Sequence, residues 1–189
     1  MKCNYLYKPK AVITQEYGDN IRYDININVV KNDDEESYSA DFYSFWVKKD
    51  ELSLEEVEKN PEKYIDYVTL EEKKEAKEKA QKIVDKIREN PIIPVPSYRE
   101  DAKINHRASD DIKLLGGYMM GGLEYFELAS GEIVSLSQND IAYIMKDAAN
   151  WEVSLQKSKQ EAWTQIDNAI SHSDVDNALK VFDGFFEYI

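Results

Sequence analysis

The sequence predicts an α+β protein: an N-terminal antiparallel β-meander with flanking helices, then a mainly α C-terminal domain with a small β-hairpin and one long helix. Three observations carry this. From Ile21 to Val29, apolar Ile21, Tyr23, Ile25, Ile27 and Val29 alternate with polar Arg22, Asp24, Asn26 and Asn28, the period of a strand with one core face and one wet face. From Ser137 to Ser171 there is no Pro or Gly, and apolar residues recur at three-and-four spacing, among them Ile141, Ile144, Met145, Ala148, Trp151, Leu155, Ala162, Ile166, Ala169 and Ile170. Between these stretches, Asn90-Pro91-Ile92-Ile93-Pro94-Val95-Pro96 stops a helix and runs extended, because Pro fixes φ and disfavours helix before it. That divides the chain into residues 1–90, a linker at 91–98 and a second domain at 99–189.

The elements follow in order. Ala11 to Tyr17 reads as a strand, closed by a turn at Gly18-Asp19-Asn20. After Val29 the acidic stretch Lys31 to Glu36 makes a hairpin tip; it lacks the ligand spacing and central Gly of a calcium loop. A third strand, Ser37 to about Lys48, is aromatic on both faces, with Tyr38, Phe42 and Trp46 on one and Tyr43, Phe45 and Val47 on the other. Burial under the following helices is the preferred reading, and contact of Tyr43 and Phe45 with a partner is the alternative. Ser53-Leu54-Glu55-Glu56 and Thr69-Leu70-Glu71-Glu72 are capping boxes, the first opening a short helix, the second a long charged one that reaches Glu89. Between them a second short helical piece spans Pro61 to Val68. In the charged helix only Ala76, Ala80, Ile83, Val84 and Ile87 form an apolar seam, and its lysines are balanced by glutamates.

Arg99 to Leu115 is expected as a helix that buries Ala102, Ile104, Ala108, Ile112 and Leu115 and ends at Gly116-Gly117. A hairpin with Gly121-Gly122 at its bend follows, then a second turn at Ala129 to Glu132 and a short strand at Ile133 to Leu136. Ser137, with Asp140 three places on, caps the long helix; at 1.5 Å per residue that helix is about 50 Å long, more than one small core covers. Its middle, Trp151 to Lys159, has the sparsest apolar pattern, so both ends are expected to pack within the domain and Trp151 and Leu155, with Trp163 beyond them, are the residues for a partner or a second copy. Ser173-Asp174 caps a last helix bearing Val175, Leu179, Phe182 and Phe186.

Composition narrows the function. The 189 residues are 42% hydrophobic and 12% aromatic, which suits a folded chain. A net charge of −13 argues against a grip on nucleic-acid phosphates and against anionic membranes. Cys3 is the only cysteine, so no disulfide closes within the chain and no thiol cluster forms; a reducing compartment is expected. The N-terminal residues lack the apolar run of a signal peptide, and no stretch is long and apolar enough to span a bilayer. His106 and His172 are the only histidines and lie far apart in sequence, which does not make a metal site. The glycine pairs lack the following Lys-Ser/Thr of a phosphate loop. No catalytic, cofactor-binding or metal-ligating residue is expected. Carboxylates are so abundant that no chosen pair points to a reaction.

Lys103-Ile104-Asn105-His106-Arg107, a Gly-Gly-Tyr hairpin, Gly131-Glu132-Ile133-Val134-Ser135-Leu136-Ser137-Gln138-Asn139-Asp140-Ile141 and Trp163-Thr164-Gln165-Ile166-Asp167-Asn168-Ala169-Ile170 stand in this order. The set resembles a C-terminal domain of tailed-bacteriophage tail-accessory and tail-fibre-assembly-like proteins. The likeness covers about residues 100 to 182; the segment before Gly131 is shorter than in that family, and residues 1–99 resemble nothing. The resemblance implies a non-enzymatic tail or virion structural or assembly protein, in the virion or the host cytoplasm, contacting other phage tail or virion proteins or copies of itself. The competing expectation is an acidic protein that imitates nucleic acid and blocks a host defence protein, with Asp33 to Glu36 and Asp50 to Glu58 as its acidic clusters.

Overall fold

The computed structural model describes residues 1–32, 37–89 and 91–186. The acidic hairpin tip at Asp33 to Glu36 and the helix stop at Asn90 lie outside the described residues. The chain divides into two units: Met1–Ala76 with Gln165–Asn177, and Lys77–Thr164 with Ala178–Ile189.

The first unit is built on an antiparallel sheet of β1 (Lys2–Tyr5), β2 (Val12–Tyr17), β3 (Asn20–Lys31) and β4 (Tyr38–Lys48), in the order β1-β4-β3-β2. The meander of β2, β3 and β4 is as the alternation predicts; β1 adds a strand at the β4 edge, with Cys3 opposite Ala40. Tyr23, Ile25 and Val47 face a core completed by Val12, Leu52, Val57 and Tyr64, with Tyr43, Phe45 and Tyr67 packed against it. The polar face of β3 is not simply wet. Asp24 is 6% and Asn26 2% exposed, because the N-terminal segment crosses that face. Tyr5 Oη donates to Asn26 Oδ1 at 2.6 Å, and Asn26 Nδ2 donates to the Lys10 carbonyl at 2.9 Å, so the amide is paired despite its burial. A bulge between Ile27 and Val30 places Asn28 at φ 53°, a left-handed conformation that Asn tolerates better than most residues.

Helix α1 (Leu54–Lys59) starts at the Ser53–Glu56 capping box. The piece from Pro61 is a single 3-10 turn, Pro61–Tyr64, shorter than the predicted segment to Val68. Helix α2 (Leu70–Glu89) opens on the Thr69–Glu72 box, with Glu72 N–H donating to Thr69 Oγ1 at 3.2 Å. The unit boundary falls inside α2, after Ala76, and not at the prolines. Residues 91–98, predicted as a linker, belong to the second unit: β5 (Ile92–Pro94) pairs antiparallel with β6 (Lys103–Asn105), and Ile93, Val95 and Ile104 are fully buried. A stretch with its apolar side chains in a core cannot act as a free strut.

That pairing also overturns the helix predicted from Arg99. Ala102 and Ile104 are buried as expected, but from an extended chain, and Arg107 at φ −106°, ψ 153° precedes the true start of α3 (Ala108–Met120). The Ile104-Asn105 part of the run from Lys103 to Arg107 therefore lies in a strand. Nor do Gly116 and Gly117 end the helix. A mid-helix Gly costs only about 1 kcal/mol against Ala, and at Gly117 a Cβ would lie 2.3 Å from Leu123 Cγ, so the glycine makes room for the next strand. The stop is Gly121, at φ 88°, whose N–H reaches the carbonyls of Gly117 and Tyr118. The hairpin is β7 (Gly122–Glu127) with β8 (Ile133–Ser137), so its bend is the Ala129 to Glu132 turn and not the second glycine pair.

Helix α4 (Gln138–Asn168) is the predicted long helix. Ser137 Oγ accepts from the Asp140 N–H at 3.2 Å and Asp140 Oδ2 accepts from the Ser137 N–H at 2.9 Å, a reciprocal cap. Its stripe is buried at Ile141, Ile144, Ala148, Trp151, Leu155, Ala162 and Ile166, and Ala169 is buried just past its end, while Met145 stays 37% exposed. The last segment is α5 (His172–Leu179), a 3-10 turn and α6 (Asp183–Phe186); its cap is Ser171, not Ser173, since Asp174 N–H donates to Ser171 Oγ at 3.1 Å.

Candidate functional site

The candidate contact surface of the second unit starts from an oddity of α3. Its thirteen residues hold only three charges, Asp110, Asp111 and Lys113. A helix turns about 100° per residue, so the buried Leu114 and Gly117 lie roughly opposite Ile112, Leu115 and Met119. Those three are 72%, 51% and 79% exposed. They stand at i, i+3 and i+7, with Gly116 at i+4, and Tyr118 and Met120 flank them, also exposed. A helix that is apolar all round is normally enclosed on every side; here one side is covered and the other is open.

On one flank of α3 lies a groove to α4, a cavity of about 290 Å³ lined by His106, Asp111, Leu114, Met145, Ala148, Ala149 and Glu152. Its lining is apolar except for His106 and the carboxylates of Asp111 and Glu152. His106 Nδ1 is 2.9 Å from Asp111 Oδ1, a close approach without hydrogen-bond alignment. Glu152 accepts from the Arg88 guanidinium and, at 3.0 Å, from Gln156 Nε2. Partial burial pushes the Glu152 carboxyl up, and these two donors, with the Arg88 charge, outweigh that and hold it below the usual range. On the other flank a polar cavity of about 260 Å³ is lined by Arg107, Asp110, Lys113, Tyr125 and Glu127 among others.

The residues that the sequence marked for partner contact are differently placed. Tyr43 and Phe45 face inward against the first unit's core, Phe45 stacking on Tyr23 at 5.6 Å and meeting Tyr67 at 5.2 Å. It is Trp46, on the other face, that is 47% exposed. Leu155 is fully buried and Trp151 is 9% exposed, edge-on to Phe185 at 5.8 Å. Trp163 is half-buried with Lys159 Nζ 4.4 Å above its ring. The expectation that the middle of α4 is open to a partner is therefore corrected: the sparse pattern still supplies one buried residue per turn or two, and those residues are already covered.

His172 is the other notable polar centre, in the first unit. Its Nδ1 lies 3.1 Å from Asp66 Oδ1 and its Nε2 3.2 Å from Glu72 Oε1. Partial burial lowers its pKa, but the two carboxylates more than compensate and leave it raised. Tyr67 nearby is pushed up to about 12, by burial first and by Glu51 second. Among the described residues, no group of three or more His, Cys, Asp or Glu side chains could hold a metal ion, and no helix is long and apolar enough to cross a membrane.

No family model matches the chain, and no curated protein or solved structure matches it. The site thus rests on its own geometry.

Proposed function

We propose that this chain is a non-enzymatic structural or assembly protein of a bacteriophage tail or virion that works through protein contacts, with the outward face of α3 as its contact surface. One observation carries the contact role: Ile112, Leu115 and Met119 form an apolar stripe on the side of α3 facing away from its own core. Exposed apolar groups scattered singly are ordinary, but a stripe at helical spacing on a helix whose other face is already buried marks a docking face. Exposed Met119 and Met120 suit such a face, since unbranched thioether side chains adapt to a partner's shape. The tail or virion part of the reading is supported by the ordered motifs between Lys103 and Ile170.

Light scattering tests it, on the purified chain alone and mixed with the purified products of the neighbouring genes. The reading expects a heavier complex with at least one of these, lost when Leu115→Ser and Met119→Ser are combined. A chain that stays monomeric in every mixture, or a double variant that assembles like the wild type, contradicts it.

A further inference from the structure

We propose that the outward stripe of α3 in the second unit takes a basic amphipathic helix from a different protein, with a Lys or Arg side chain reaching into the adjoining cavity beside Asp111 and Glu152. This rests on the contact role proposed above and names the chemistry of the partner. The stripe from Ile112 to Met119 spans about 10 Å, two helical turns, which matches the apolar face of a helix laid along it. At Gly116 a built Cβ would meet nothing within 4 Å, so a partner backbone can come close there. The cavity has the division of labour that a long basic side chain needs. Leu114, Met145, Ala148 and Ala149 can cover a methylene stem, and Asp111 and Glu152, which line the same cavity, can meet its charged head. Arg88 and Gln156 donate to Glu152, and His106 Nδ1 lies 2.9 Å from Asp111 Oδ1, so both acids are held in place.

Charge decides between a second copy and a foreign partner. A second copy would bring another net charge of −13 against this one, and it offers no cation in the last turn of α3 to meet Asp110 and Asp111. A basic helix meets the opposite field, which speeds encounter and fixes orientation.

The test uses the full chain and three labelled synthetic peptides of about five helical turns: a Leu/Lys amphipathic helix, a Leu/Lys peptide of the same composition with the apolar stripe scrambled, and the Leu/Glu counterpart of the first. Anisotropy titrations at low and moderate salt give the affinities. The striped Leu/Lys helix should bind about tenfold or more tighter than the scrambled one, and the Leu/Glu helix should not bind. Combined Leu115→Ser and Met119→Ser should remove most of that advantage, Asp111→Asn should weaken binding several-fold, and Val153→Ser, at an exposed position outside the groove, should change nothing; melting curves verify that each variant folds. Equal binding of striped and scrambled peptides would show nonspecific charge attraction and overturn the proposal. So would preferential binding to phosphatidylcholine vesicles, or self-association of the wild type that the double variant abolishes. If the neighbouring gene products assemble through the stripe while the peptides fail, the contact role stands and the basic-helix chemistry falls.

Discussion

Truncating Leu155 separates the two faces that the sequence confused. Leu155 is fully buried on α4, one turn beyond Trp151 on the same side of the helix. Leu155→Ala removes three carbons, about 2.4 kcal/mol of transfer free energy at ~0.8 kcal/mol per methylene. The cavity left behind raises the expected loss to roughly 3–4 kcal/mol, a large share of a typical total of about 5–15 kcal/mol. Leu115→Ala is the matched control: at 51% exposure on α3 it should change stability by no more than about 0.5 kcal/mol. Urea unfolding followed by circular dichroism and tryptophan fluorescence reads both, and Trp151 reports on the neighbourhood of the deletion. If the two units unfold separately, the shift belongs to the transition of the second unit, Lys77–Thr164 with Ala178–Ile189. A loss under about 1 kcal/mol at Leu155, or an equal loss at Leu115, would refute the assignment of inner and outer faces.

Three further outcomes follow from local geometry. The raised pKa of His172 means that its contacts with Asp66 and Glu72 contribute fully below its ordinary pKa and fade as pH rises through the higher folded value. With half its side chain exposed the effect is screened to less than about 1 kcal/mol; melting curves from about pH 5.5 to 8.5 should show wild type losing stability relative to His172→Gln as pH rises, and parallel curves would contradict this. Asp147, 9% exposed, accepts from the Ser97 N–H and from Ser97 Oγ, both at 2.7 Å, so Asp147→Ala should cost about 2–3 kcal/mol and Ser97→Ala about 1 kcal/mol, measured by denaturant midpoint. Gly122 sits at φ 153°, where a Cβ would be 2.8 Å from the Leu136 carbonyl, so Gly122→Ala should open the β7–β8 hairpin and speed amide exchange at Leu123 and Leu136; unchanged exchange would show that the hairpin gives way easily.

The sequence made legible those elements whose signal is local. Period-two alternation located β3, reciprocal Ser/Thr and acid pairs located the starts of α1, α2 and α4, and the unbroken three-and-four spacing located α4 and most of its buried stripe. The losses occurred where a distant partner decides. Lys103–Asn105 is a strand because Ile92–Pro94 lies beside it, and no periodicity in residues 99–107 announces that pairing. Asn26 is buried because Tyr5 and Lys10 reach it from a segment that shows no core pattern of its own. The candidate site was lost for the same reason. Apolar residues on a helix usually belong to the core, and a helix started at Arg99, nine residues before Ala108, merges the inner and outer faces of α3 and puts Ile112 and Leu115 inside. One signal was present: from Leu114 to Met120 α3 carries no charge on any side, so one face had to be left over once the other packed.

Site-specific photo-cross-linking tests the docking face most directly. A photoreactive side chain is placed in turn at Leu115, at Met119 and at Lys157, an exposed position on α4, and each chain is irradiated with the purified products of the neighbouring genes. The account predicts a discrete cross-linked product from Leu115 and Met119, to the same partner, and none from Lys157. Equal products from all three positions, or a product from Lys157 alone, would contradict α3 as the contact surface.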